Sequence, residues 1–243
     1  MSDLGANGIL GVGSFAQDCG VACTSGPLSR AYYTCQSSPC QPANAALAQQ
    51  VSHPGTAFAF DNDGVVLALP AVPTQGAATV TGTLTFGIGT QPNNGLGRAV
   101  VLSVDRNSGS VTTLLGGGGI PYSNSCIDSG SNALYFSDST NANLVTCATN
   151  NLLCCPATTL TLTATNVGAN GAQSTVAFSV VAADPLFQAQ PRFAAFGNIA
   201  GPNRVVGPSP SSDWGLPFFS GRTVFVAVEG ARTPGGTGPY VAY

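Results

Sequence analysis

TLTLTATNVGANGAQSTVAFSVV, residues 159 to 181, decides the class of fold. Two runs, TLTLTAT and STVAFSVV, are rich in β-branched residues, and Asn166 to Gly171 between them is a cluster of turn formers. That pattern predicts two antiparallel strands joined by a hairpin.

The same signal recurs on the N-terminal side. TAFAF and VVLAL flank Asp61-Asn62-Asp63-Gly64, and an Asp-Gly turn between apolar runs predicts a hairpin. These four residues also resemble the start of a calcium loop, but VVLALPAV follows without further acidic ligands. ATVTGTLTFGIG predicts a long strand with Gly82 as its breaking point. RAVVLSVD and SVTTLL around Arg106-Asn107-Ser108-Gly109 predict another hairpin, followed by a flexible loop from Gly116 to Gly119. Towards the other end, LPFF and RTVFVAVEG add extended segments.

Composition points the same way. The 243 residues include 31 Gly and 17 Pro with one Met, one Glu and no Lys, so strong helix formers are scarce. Only ANAALAQQV (43 to 51), with Leu47 and Val51 one turn apart, predicts a short helix. AGPNRVVGPSPSSD (200 to 213) is followed by too few residues for a domain and predicts a surface loop. The fold class is all-β with few short helices.

Charge and cysteine usage narrow the setting. Seven Arg against ten acids give a net charge of −3, and the arginines are scattered, so no basic patch forms and nucleic acid is not expected as a partner. No apolar run approaches the ~18 residues of a membrane span. MSDLGANGIL lacks the basic and apolar regions of an export signal. Yet Cys19, Cys23, Cys35 and Cys40 form one set and Cys126, Cys147, Cys154 and Cys155 another, in a loop-rich, Lys-free chain, which predicts disulfides made outside the cytoplasm. Zinc is disfavoured, because DCGVAC and CQSSPC lack the CxxC spacing and only one histidine is available.

Absent residue types remove whole mechanisms. Without Lys there is no Walker phosphate loop, Schiff base or pyridoxal site, and GANGILGVG does not match the dinucleotide GxGxxG spacing. His53, the single histidine, lies between Ser52 and Pro54 and reads as a solvated loop residue rather than a catalytic base. No cofactor and no metal are expected. Carboxylates remain: Asp63, Asp105 and Asp184 fall at strand ends or turns, Asp18 in a cysteine loop, and Glu229 at the close of a strand.

Asp128, in CIDSGSNALYF (126 to 136), is different in following an apolar strand and preceding Ser-Gly-Ser-Asn. A strand ending at Ile127 would place it at the edge of the core, where burial raises a carboxyl pKa while Ser hydroxyls and backbone N–H groups oppose the rise. Gly130 permits a tight turn and a close backbone approach. Taken alone, an ordinary turn rich in Asp, Ser and Gly accounts for the same residues.

Three stretches in order add a resemblance. GILGVG (8 to 13), CIDSGSNALYF and DWGLPFFSGRTVFVAVEG (213 to 230) resemble the first-lobe closing segment, the second-lobe Asp-[Ser/Thr]-Gly-[Ser/Thr] segment and the late apolar-Gly segment of pepsin-like aspartic proteases. At NGILGVG, QDCG, CIDSGSN and DWGLPFF the chain is similar to a bacterial secreted family, the domain of unknown function 3443. The resemblance implies a pepsin-like β-barrel lobe at residues 56–243, preceded at 1–55 by the end of a first lobe and a Cys-rich, helical connection. It implies the C-terminal half of an extracellular or cell-envelope endopeptidase, with its export signal and first lobe, flap included, missing.

Carried over by motif, Asp128 is one catalytic carboxylate of a dyad. Ser129 joins the hydrogen bonds linking two active-site loops, Ser131 bonds the outer carboxylate oxygen, and Gly130, Trp214 and Gly215 are structural. The loop departs from the pattern in having Ser129 where many members have Thr. Cys126 stands where an apolar residue is usual, as a free thiol or as a partner of Cys154. The implied partners are a peptide or protein substrate, a missing N-terminal lobe, or a second copy of the chain. Without a second carboxylate the chain is expected to be inactive unless dimeric, and the alternative is a protease-like binding or surface protein without catalysis.

Overall fold

The computed structural model describes residues 10–25, 31–36, 38–116, 121–136, 141, 143–203 and 211–243. In the N-terminal part β1 (Tyr33–Thr34) and β2 (Gln41–Pro42) form a small ribbon. The body begins with β3 (Gly64–Ala68), β4 (Thr83–Phe86), β5 (Val101–Ser103), β6 (Val111–Leu115) and β7 (Tyr122–Ser125). There follow β8 (Leu134–Tyr135), β9 (Leu160–Val167), β10 (Gln173–Val180), helix α1 (Ala183–Ala189) and β11 (Ala200–Gly201). Next come β12 (Asp213–Trp214), the single-turn α2 (Leu216–Phe219) and β13 (Thr223–Ala227). A ribbon of β14 (Arg232–Thr233) and β15 (Gly236–Thr237) precedes β16 (Tyr240–Ala242).

Three sheets build the body: a five-stranded antiparallel one in the order β4-β3-β13-β16-β5, a four-stranded one in the order β10-β9-β6-β7, and a three-stranded one in the order β11-β8-β12. The all-β class stands. The expected barrel does not form, because among the described residues each sheet keeps its two edges.

The sheets share their cores. Leu115, Ala164, Val176 and Val180 of the four-stranded sheet meet Val224 of β13, Leu134 of β8 and Trp214 of β12 in one buried cluster. The other face of the five-stranded sheet buries Val66, Phe225, Tyr240 and Ala242 against Ile88, with Leu96 and Ala99 packed alongside. Covered on both faces, β3 and β13 carry continuous apolar runs rather than alternation.

The hairpin at 159–181 forms in full register, from Gln173 opposite Val167 to Val180 opposite Leu160. Gly82 ends the predicted long strand, leaving β4 to start at Thr83; a Cβ on Gly82 would lie 2.4 Å from the Ala68 carbonyl. The Asp61–Gly64 hairpin is a correction. Pro54–Ala57 is a 3-10 turn and Phe58 to Asp61 are bends, so the segment leading into Gly64 is not a strand. Instead Asp63 Oδ1 accepts the Ile88 N–H at 2.8 Å, and β3 pairs with β4 beyond it.

The Arg106–Gly109 turn forms, with Asp105 Oδ1 accepting the Asn107 and Ser108 amides, but its flanking strands do not pair. β5 joins β16 and β6 joins β7 and β9, so this turn carries the chain from one sheet to another. The predicted helix at 43–51 reduces to a 3-10 turn at Leu47–Gln49. Leu47 and Val51 are exposed, so no apolar face is buried to hold a longer helix. LPFF is the helical turn α2, not a strand. Residues 117–119 of the glycine loop and 204–210 of the predicted surface loop lie outside the described residues.

His53 is also a correction: it is buried, not solvated. Its Nδ1 accepts the Gly55 N–H at 3.0 Å, capping the Pro54–Ala57 turn, and Nε2 is buried without a hydrogen-bond partner. Burial holds the imidazole below the usual histidine range, the backbone of Val12 working the other way.

Candidate functional site

The loop from Ile127 to Ala133 is held at both ends by one later strand. On the entry side the Cys126 N–H donates to the Ser212 carbonyl at 2.9 Å and the Trp214 N–H to the Cys126 carbonyl at 2.8 Å. On the exit side β12 runs antiparallel to β8, Asp213 opposite Tyr135 and Trp214 opposite Leu134, while β11 lies parallel on the far side of β8. Segment 212–214 is thus inserted between the two strands that frame the loop. The Leu216 N–H donates to the Ser131 carbonyl at 2.6 Å, so the loop rests on the Gly215 backbone.

Within the loop Asp128 is exposed, not at the buried edge that its position after a strand suggested. The strand does not reach it: β7 ends at Ser125, three residues earlier. Its oxygens are nevertheless fixed. Oδ1 accepts the Gly130 N–H at 2.8 Å, an Asx turn, and Oδ2 accepts the Ser131 hydroxyl at 3.0 Å. Ser129 and Gly130 are exposed beside it. Together with Ser125 to Gly130, the N-terminal stretch Leu10 to Phe15 lines a cavity of about 400 Å³, floored by apolar residues such as Val65, Leu67 and Val226. Among the described residues Asp128 is the only acid in its lining.

Behind the loop Trp214 is buried and its indole N–H points at both Thr113 Oγ1 and Asn166 Oδ1, 3.0 Å from each. Asn166 in turn donates to the Tyr243 hydroxyl at 2.9 Å. The Trp214 ring meets Phe178 and Phe218, each at 5.3 Å between centroids. The two apolar-Gly segments are unequal. A Cβ on Gly215 would lie 2.6 Å from the Ser131 carbonyl, whereas one on Gly11 would meet nothing within 4 Å. Ile9, beside Gly11, lies outside the described residues.

Sequence reasoning passed over Asp213. Ser131 Oγ, 3.0 Å from Asp128 Oδ2, is also 2.5 Å from Asp213 Oδ2. Burial, and then the charge of Asp128, push the Asp213 carboxyl above the usual carboxylate range, while Ser131 opposes the rise. The signal was present: in a chain with ten acids, one stands directly before the Trp-Gly that backs the loop.

Cys126 is an exposed free thiol and Cys154 a buried one. Although the residue is exposed, partial burial around the sulfur, followed by Asp213 and Asp128, pushes the Cys126 thiol up to about 12, away from the reactive thiolate. The other described cysteines pair as Cys19–Cys23, Cys35–Cys40 and Cys147–Cys155, which fits an oxidising, extracellular-type environment. Asp184 approaches the last of these, but sulfurs joined to each other are not thiolate ligands for a metal. Among the described residues no helix is long and apolar enough to cross a membrane.

An all-β chain with a carboxylate loop backed by a Trp-Gly strand defines the class of molecule. The model of the family described as Protein of unknown function (DUF3443) matches residues 1–243, and the chain belongs to that family. No curated protein matches it.

Proposed function

We propose that the chain supplies one carboxylate, Asp128, to a pepsin-like aspartic endopeptidase site whose other carboxylate comes from a facing lobe or a second copy of the chain. The observation that carries this reading is an exposed carboxylate with both oxygens pinned by its own loop, at the edge of a largely apolar cavity. Two facing carboxyls cannot both ionise cheaply. One keeps a proton and polarises the peptide carbonyl while the other activates water. The Gly130 N–H and Ser131 hydroxyl orient Asp128 for either role, and the close packing of Gly215 under the loop limits its movement. The oxidising setting suggested by the disulfides suits an exported enzyme.

The test is cleavage of an unfolded protein substrate at acidic pH by the full-length protein, with and without a statine-type inhibitor. Inhibitable cleavage that Asp128→Asn abolishes supports the reading; a full-length, folded protein without cleavage sinks it. A second reading, a protease-like binding or surface protein, is favoured by the single acid in the cavity lining. On that reading Asp128→Asn leaves peptide affinity unchanged and no bond is cut.

A further inference from the structure

Proton counting at Ser131 goes further. Its hydroxyl has one hydrogen, yet Oγ lies within hydrogen-bond distance of two carboxyl oxygens, Asp128 Oδ2 and Asp213 Oδ2. If both carboxyls were ionised, one of those contacts would set a hydroxyl oxygen against an anionic oxygen with no hydrogen between them. One carboxyl must therefore donate.

The surroundings decide which. Asp128 is exposed to water and already accepts a backbone N–H at Oδ1. Asp213 is half-buried, and its Oδ1 is fully buried with no donor among the described residues. An ionised carboxylate with one oxygen unsolvated and unbonded is costly, whereas the carbonyl oxygen of a neutral acid in the same place costs far less. Among the described residues, the titratable groups facing Asp213 are Asp128 from the loop, the Cys126 thiol from the entry segment and the Tyr135 phenol from β8; none of these is a cation.

We infer that Asp213 is a proton-holding positioning residue. Its Oδ2–H donates to Ser131 Oγ, Ser131 gives its own hydrogen to Asp128 Oδ2, and Asp128 is the ionised end of a three-group chain. Each hydrogen in the chain then has one donor and one acceptor. Burial and the Asp128 charge both act in the direction this requires. The assignment concerns these three side chains alone and stands whether or not the site cuts peptides.

Infrared spectroscopy of the protonated-carboxyl carbonyl band tests it, at a pH just above the ordinary carboxylate range and without any activity assay. The folded wild-type chain is expected to show a band that is missing in Asp213→Asn. The band should persist in Asp128→Asn, titrating away at lower pH because a neighbouring negative charge is gone, and should move to higher frequency in Ser131→Ala, which removes the acceptor. No band in the wild type, or a band that survives in Asp213→Asn, overturns the assignment. Should Asp213→Asn fail to fold, Asp213→Ala is measured in its place, and a band that survives there overturns the assignment.

Discussion

Gly215 lies directly beneath Ser131: a Cβ at Gly215 would come within 2.6 Å of the Ser131 carbonyl and 3.0 Å of its Cβ, and within 2.2 Å of the Ala133 carbonyl. The backbone at Gly215 is not strained, with φ at −56°, so the demand is for space alone. Gly215→Ala must move the loop off its floor. The expected cost is roughly 3 kcal/mol, the upper end for overpacking, read as a lower denaturant midpoint. An unchanged midpoint would mean that the loop has room to lift.

Trp214→Phe keeps an aromatic ring against Phe178 and Phe218 but removes the indole N–H shared by Thr113 and Asn166. Thr113 and Asn166 stay bonded to each other at 2.6 Å, so neither is orphaned. The loss should be modest, about 1–2 kcal/mol in urea unfolding. Trp214→Ala, which also empties the shared core of the sheets, should cost about 3–5 kcal/mol.

Thiol counting checks the cysteine arrangement. With three disulfides, the unreduced chain should release two thiols to a disulfide reagent once unfolded, Cys126 and Cys154. In the native state at mildly alkaline pH both should react slowly: Cys154 is buried and pushed up to about 11, and Cys126, exposed but beside the acids of the loop, is pushed up to about 12. Asp128→Asn, which removes the ionised carboxylate, should speed Cys126 and leave Cys154 alone. Finding no thiols after unfolding would mean that Cys126 and Cys154 are paired.

His53 should make stability fall in acid. Its folded-state pKa lies below the ordinary 6.5, so the unfolded chain binds the proton more readily. The stability it contributes is complete above 6.5 and drains away as pH falls through the lowered folded value. His53→Asn offers Oδ1 to the Gly55 N–H in place of Nδ1 and cannot be protonated. Its unfolding midpoint should therefore be flatter with pH below 6.5, and curves that stay parallel to wild type would rule out burial of a neutral ring.

What the sequence disclosed follows the range of the interactions. The 159–181 hairpin was legible because its turn and both strands are contiguous. The Arg106–Gly109 turn was legible for the same reason, since Asp105 caps it locally, but nothing local says that β5 and β6 belong to different sheets. Asp61 to Gly64 misled because Asp-Gly also suits a strand start, and the Ile88 amide that Asp63 bonds lies on a separate segment. His53 and Asp213 were hidden alike: burial of either depends on chain remote from it. Asp128 stood out by motif, whereas the acid coupled to it through Ser131 had none.

The insertion of segment 212–214 between Cys126 and β8 also fixes an order of events during synthesis. When the ribosome has made the aspartate loop, the strand that will separate its two ends does not yet exist. β16, the last described strand, is made later still and is an interior member of the five-stranded sheet, between β13 and β5. A nascent chain therefore carries Asp128 on an unsupported loop until segment 212–214 has left the exit tunnel. Whatever chemistry the loop performs is unavailable until that segment has joined it.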